Sequence, residues 1–159
     1  MTEQLHQINV AYSPAQDRLL LRISTKTADE YRIWLTRRFT GILTGLLGKE
    51  MDKQGGVATV ASSQETTSLL KGGALEKKYQ EDSEASYPLG ESGILAFRIN
   101  VKNQQDGNLV LELLPEEGKG ITLNLNKSLM YMMHSILLQG VTQAEWQLPN
   151  IENVSMKVH

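Results

Sequence analysis

Hydrophobic and polar positions alternate with two different periods along this chain, and the changes of period mark its elements. Ile8, Val10 and Tyr12 alternate with polar residues, the signature of a half-buried strand. Ser13-Pro14-Ala15-Gln16-Asp17 supplies turn chemistry. Leu19, Leu21 and Ile23 then alternate with Arg18, Leu20 and Arg22, so residues 5–24 read as a β-hairpin. At Thr27 the period lengthens. Thr27-Ala28-Asp29-Glu30 has the form of a capping box, and Tyr31, Trp34/Leu35, Phe39, Ile42/Leu43 and Leu46/Leu47 follow at three- and four-residue steps. This predicts a long helix ending near Gly48–Gln54, in which Gly41 and Gly45 each cost about 1 kcal/mol relative to Ala.

Residues 52–91 are different. Gly55-Gly56, Ser62-Ser63 and Gly72-Gly73 interrupt them, apolar residues are sparse, and four lysines face seven acids. The expectation is a mobile or loosely helical acidic insertion, with short helices around Glu65–Leu70 and Ala74–Asp82. Order returns with Leu95, Phe97, Ile99 and Val101, then an Asp106-Gly107 hairpin signal, then Leu109, Leu111 and Leu113. Ile121, Leu123 and Leu125 predict another strand. Asn126 caps a helix running through Gln139, with Gly140 as its C′ residue. Ala144, Trp146 and Leu148 form a last short alternation. The tail from Pro149 is expected to fray, although Ile151, Val154, Met156 and Val158 could dock.

The element order is thus ββα, acidic excursion, βββαβ. It predicts one α+β domain over residues 1–159: a mainly antiparallel sheet of about six strands packed by two main helices. A length of 159 residues fits a single domain of about 100–200 residues.

Charge and composition narrow the function. Sixteen Lys and Arg face eighteen Asp and Glu, so there is no global basic excess of the kind that phosphate-dominated DNA binding uses. The absence of cysteine removes thiol nucleophiles and thiolate metal sites. The first ten residues have no basic and apolar succession typical of a signal peptide. No window approaches the roughly 18 apolar residues of a membrane-spanning helix. The expected location is the cytoplasm, with no membrane partner.

Catalytic signals are sparse. The three histidines, His6, His134 and His159, form no HxxxH, HxH or HExxH spacing, and GxSxG, GxGxxG and GxxxxGK[ST] do not occur. His134 sits at the edge of an apolar helix face, where a neutral structural imidazole is the plainer reading. Glu116-Glu117 reads as a solvated turn, since adjacent carboxylates there point apart. No catalytic residue, cofactor or metal site is assigned.

Binding signals are stronger. Arg32, Arg37 and Arg38, in Tyr31-Arg-Ile-Trp-Leu-Thr-Arg-Arg-Phe39, would occupy one flank of the helix. Guanidinium groups suit bidentate recognition of phosphate or carboxylate. Arg18 and Arg22 could extend the patch, or the arginines could receive the chain's own acidic stretch at 76–91. The RxxxR and [DN]xSxxG signature of the cyclic-dinucleotide-binding PilZ domains is not met by Arg32, Arg37 and Arg38 or by Asp82–Gly90. Tyr12, Phe97 and Trp146 fall in phase with core residues, which argues against base-stacking platforms. Met130 and Met133, with Met132, make the last helix apolar over more than one stripe. That face could be core or an adaptable contact surface.

Asp17-Arg-Leu-Leu-Leu-Arg-Ile-Ser24 and Tyr31-Arg-Ile-Trp-Leu-Thr-Arg-Arg38 resemble a group of small proteobacterial proteins without an assigned activity. The likeness spans Leu5–Leu47. It implies a bacterial cytoplasmic source and supplies no mechanism. The expectation is therefore a non-enzymatic protein-interaction module, with a second copy of the chain among its candidate partners. Arg32, Arg37 and Arg38 would serve as charge anchors, and Met130 and Met133 as an apolar surface. The alternative is a binder of a nucleotide or single-stranded nucleic acid through the same arginines.

Overall fold

The computed structural model describes residues 5–73 and 78–147. Its first strands form a meander: β1 (Leu5–Ser13), β2 (Arg18–Thr25) and β3 (Glu30–Leu35), paired antiparallel in that order. β3 occupies the first turns of the expected long helix. Tyr31, Ile33 and Leu35 are buried and Arg32 and Trp34 between them less so, a two-residue period that the three- and four-residue spacing of the same stretch conceals. Thr27 is no helix cap. It lies in the β2–β3 turn, where Thr25 N donates to Asp29 O at 2.9 Å and Ala28 N to Thr25 O at 3.1 Å. The helix starts later as α1 (Arg37–Asp52), and Thr36 caps it by accepting from Phe39 N at 3.1 Å. Phe39, Leu43, Leu47 and Met51 form its buried stripe.

Two short helices follow, α2 (Val57–Ala61) and α3 (Gln64–Lys71), the second close to the helix expected at Glu65–Leu70. Of the helix expected at Ala74–Asp82, residues 74–77 lie outside the described residues, and 78–82 are not helical. The chain then adds β4 (Ile94–Leu95), β5 (Arg98–Asn103), β6 (Leu109–Leu114), β7 (Ile121–Leu125) and α4 (Lys127–Ala144).

The protein is α+β as expected, but its strands form two sheets. β1-β2-β3-β4 is four-stranded, with β4 parallel to β3, and β5-β6-β7 is an antiparallel three-stranded sheet. The division falls between two neighbouring residues. Ala96 N donates to Trp34 O of the first sheet at 2.9 Å, and Phe97 N to Leu114 O of the second at 2.7 Å. Successive amides of an extended chain point to opposite sides, so one short stretch serves both sheets. Gly93 permits the approach: its φ is +81° and a Cβ there would lie 2.5 Å from Arg32 O.

Both sheets and the long helices share one core, which includes Leu19, Leu21, Ile33, Leu43, Leu111 and Leu137. Asn126 caps α4 as expected, accepting from Leu129 N at 2.8 Å. Gly140 does not end this helix. It lies inside it, where a Cβ would come within 2.7 Å of Val10 Cγ1. The helix closes on Glu145 in the left-handed region, and Trp146 N returns to Val141 O at 3.2 Å. No strand forms at 144–147, and Leu148 lies outside the described residues. Trp146 is buried as expected, with its indole Nε1 donating to Asp17 Oδ1 at 3.0 Å and its ring edge-on to Tyr12.

Candidate functional site

The expected arginine patch does not assemble. Arg32 projects from β3, whereas Arg37 and Arg38 begin α1, because the strand and helix periods carry their side chains in different directions. Arg37 Nη2 donates to Gln147 O at 2.9 Å. Arg38 is exposed and has no hydrogen-bond or ion-pair partner among the described residues.

Arg22 and Arg32 instead receive the acidic excursion. Arg22 Nη1 pairs with Glu81 Oε2 at 2.6 Å, and its guanidinium lies 4.1 Å from the centre of the Tyr79 ring. Arg32 donates through Nε to Glu30 and through Nη1 to Glu91 O at 2.8 Å, and its guanidinium faces the Tyr87 ring at 4.7 Å. Beneath this strap lies Glu30, 3% exposed. Tyr79 Oη donates to Glu30 Oε1 at 2.7 Å, and Glu30 N donates to Ser86 O at 2.7 Å. Burial pushes the Tyr79 phenol well above its ordinary pKa, and its bond to Glu30 pushes it further. The Arg32 guanidinium is held more firmly protonated, first by its hydrogen bond to Glu30. On β1 the Gln7 side chain clasps one strap residue twice. Nε2 donates to Gln80 O at 3.2 Å, and Oε1 accepts from Gln80 N at 2.7 Å.

Sequence reading missed this hub because the capping-box interpretation absorbed Glu30. The available signal was the spacing of Tyr79 and Tyr87 within a segment otherwise poor in aromatics.

Two clefts flank the strap. One, of about 250 Å³, lies among Thr25, Asp29, Glu30 and Tyr79. The other, of about 660 Å³, lies among Ile8, Leu69, Leu129, Met132 and Tyr79. The polar groups of Gln7 and Tyr79, which line both, are engaged in holding the strap. No cluster of His, Asp and Glu suited to a metal ion occurs among the described residues.

Met130 and Met133 are 1% and 0% exposed. They are core rather than the apolar contact surface considered above, because α4 is covered on more than one side by β1 and the other helices. His134 lies on the same helix, with Nε2 4.0 Å from where a Cβ on Gly48 would be, and burial lowers its pKa. A depressed folded pKa means that the unfolded chain takes up the proton more readily. The stabilising contribution is full above the ordinary imidazole pKa of about 6.5 and is lost as pH falls through the lower folded value. Urea titrations from pH 7.5 downward should therefore show a steeper acid loss for the wild type than for His134→Gln. Equal slopes would contradict this.

The exposed apolar surface lies elsewhere. β5 pairs with β6 on one side and, among the described residues, with no strand on the other. Val101 opposes Leu111 and Ile99 opposes Leu113, so these residues share the core-facing side of the sheet. Leu111 is 0% exposed and Val101 is 37% exposed. Phe97, expected in the core, is 57% exposed, while its neighbour Ala96 is buried. The alternation slips at this point, because Phe97 N donates to Leu114 O while Arg98 is the residue paired with Leu114, so two residues of this chain face one of β6. The end of this edge is braced by α1 and the chain just after it. Asn103 Nδ2 donates to Glu50 Oε1 at 2.8 Å, and Gln54 Nε2 to Gly107 O at 3.0 Å.

No helix among the described residues is long and apolar enough to cross a membrane. Comparison with protein-family models, curated proteins and solved structures finds no match.

Proposed function

We propose that this protein is a non-enzymatic interaction module that docks a protein strand along β5. The observation that carries this reading is an open edge strand with exposed apolar residues, Val101 on its core-facing side opposite fully buried Leu111 and Phe97 just before its start. Strand addition supplies main-chain hydrogen bonds, and the apolar stripe selects alternate side chains of the incoming segment. The alternation of an antiparallel ladder supports this use. Gln104 N donates to Asn108 O across the hairpin, which assigns the inward bonds of β5 to Lys102, Asn100 and Arg98. The backbone groups of Ile99 and Val101 then face the open side.

The arginines fit this reading better than a nucleic-acid role. Arg22 and Arg32 are committed to the strap and Arg37 to a backbone carbonyl. Affinity capture with the wild type and with Phe97→Asp/Val101→Lys, each from nuclease-treated and untreated lysate, tests the proposal. The expected result is a partner captured equally with and without nuclease and lost with the edge variant. Nuclease-sensitive capture, or capture indifferent to the edge substitutions, would overturn it.

A further inference from the structure

We infer that the outer face of the first sheet, beyond the strap, receives an acidic segment of another protein. Arg18 and Arg98 take its carboxylates, and a row of apolar side chains takes its apolar ones. The inference goes beyond the β5 edge: it adds a second contact surface and names the chemistry of what covers it.

Burial alternates along β2 and β3. Leu19, Leu21, Ile33 and Leu35 face the core, so Arg18, Leu20, Arg22, Arg32 and Trp34 face away from it. The register lines up these outer residues across the sheet. Asn9, Arg22 and Arg32 form one row. The next row is Ala11, Leu20, Trp34 and Leu95, and it crosses all four strands over about 14 Å. Phe97 extends it toward the second sheet, with Ala96 buried between Leu95 and Phe97. Leu20 and Trp34 are half-buried, Leu95 and Phe97 are exposed, and none of the four belongs to the core.

The strap shows what this face accepts. Over the Asn9 row it sets Glu81 against Arg22 beside the Tyr79 ring, and Glu91 O against Arg32 beside the Tyr87 ring. The apolar row has similar chemistry without the cover. Arg18 lies two residues from Leu20 on the same side of β2. Arg98 follows Phe97 and pairs with Leu114, on the side of β6 opposite buried Leu113. Neither arginine makes a hydrogen bond or ion pair among the described residues. Four of the chain's six arginines therefore project away from the core here, beside Trp34 and Phe97. Arginine and aromatic side chains are the residues enriched at protein interfaces. A phosphate chain fits this face less well. It would meet exposed Glu81 beside Arg22, and the Trp34 ring is only half-exposed, with Nε1 held by Ser92 O at 2.9 Å.

Selection of displayed random peptides on the folded full-length protein tests this. Peptides of about a dozen residues are long enough to span the row. The selected pool should carry Asp or Glu among apolar residues. A synthetic copy of one such peptide should shift the tryptophan emission of the wild type and not that of Trp34→Phe. Arg18→Glu/Arg98→Glu should weaken its binding about tenfold. The same selection on this charge-reversed protein should return basic peptides, which an unfolded variant would not do. Val101→Lys should leave the affinity unchanged, and this result holds whether or not β5 takes a strand.

A selected pool without acidic peptides would overturn the inference. So would an acidic peptide lost with Val101→Lys and retained by Arg18→Glu/Arg98→Glu, an outcome that leaves the β5 reading standing. Tighter binding of oligothymidylate than of any selected peptide would assign the face to nucleic acid. A wild-type mass of twice 17.7 kDa by light scattering, falling to 17.7 kDa in Arg18→Glu/Arg98→Glu, would assign it to a second copy. Peptide binding that appears only after removal of residues 148–159 would assign it to the tail of the chain. Each of these three results overturns the inference.

Discussion

Replacing Glu30 with alanine is expected to lower the free energy of unfolding by about 3 kcal/mol, near the lower end for breaking a buried ion pair. The carboxylate is buried and accepts from both Arg32 and Tyr79. Its removal leaves the half-buried Tyr79 hydroxyl and the Arg32 guanidinium without their shared acceptor. The loss stays near the lower end because Arg32 keeps its bond to Glu91 O and its contact with the Tyr87 ring. Glu30→Gln should cost less, since an amide oxygen can still accept from Tyr79. Urea unfolding of the three proteins measures this series. A loss below about 1 kcal/mol for Glu30→Ala would show that the strap is not held through this carboxylate. Amide exchange provides a local check: protection of the Glu30 amide, which donates to Ser86 O, should fall more than protection of β6.

A second large loss, also about 3 kcal/mol, is expected for Gly140→Val. Here the cause is steric. A Cβ at this position would lie 2.7 Å from Val10 Cγ1 and 3.1 Å from Leu19 Cδ1, between a helix and two paired strands. Valine suits a helix interior better than glycine, by a few tenths of a kcal/mol, which offsets only a fraction of the overpacking. A compensating pair separates packing from backbone effects. Val10→Ala vacates the space that the new Cβ needs, so Gly140→Ala combined with Val10→Ala should be more stable than the sum of the single effects allows. Strict additivity in denaturant midpoints would mean that α4 does not meet β1 at this glycine.

The hairpins of this fold were legible because each is specified within a few residues. Leu19, Leu21 and Ile23 announce one face of β2, and Asp106-Gly107 announces the turn before β6. Asn126 was legible for the same reason, since a cap needs only its own side chain and the amide three residues on. Tyr31–Leu35 misled because five residues satisfy a helical and an extended period at once. Their partner β2 decides between the two. Gly140 misled because a glycine at a helix end and one at a helix–sheet crossing look alike until the facing Val10 is known. The candidate contact surface moved from Met130 and Met133 to Phe97 and Val101 for a related reason. Apolar character is a property of the residue, whereas cover is a property of what folds against it.

The order of the strands has a consequence for how this protein is made. β1-β2-β3 and β5-β6-β7 each pair only with neighbours in sequence, so either meander can close through short loops soon after it is synthesised. The link between them pairs Ile33 with Ile94 and Trp34 with Leu95, and it must close a long loop first. The contact of α4 with Val10 spans still more of the chain and arrives last. Until α4 leaves the ribosome, Leu19, Leu21 and Ile23 lack the helix that helps to cover them. The nascent chain therefore exposes a ready-made adhesive sheet for most of its synthesis, and aggregation during translation is the hazard this topology builds in.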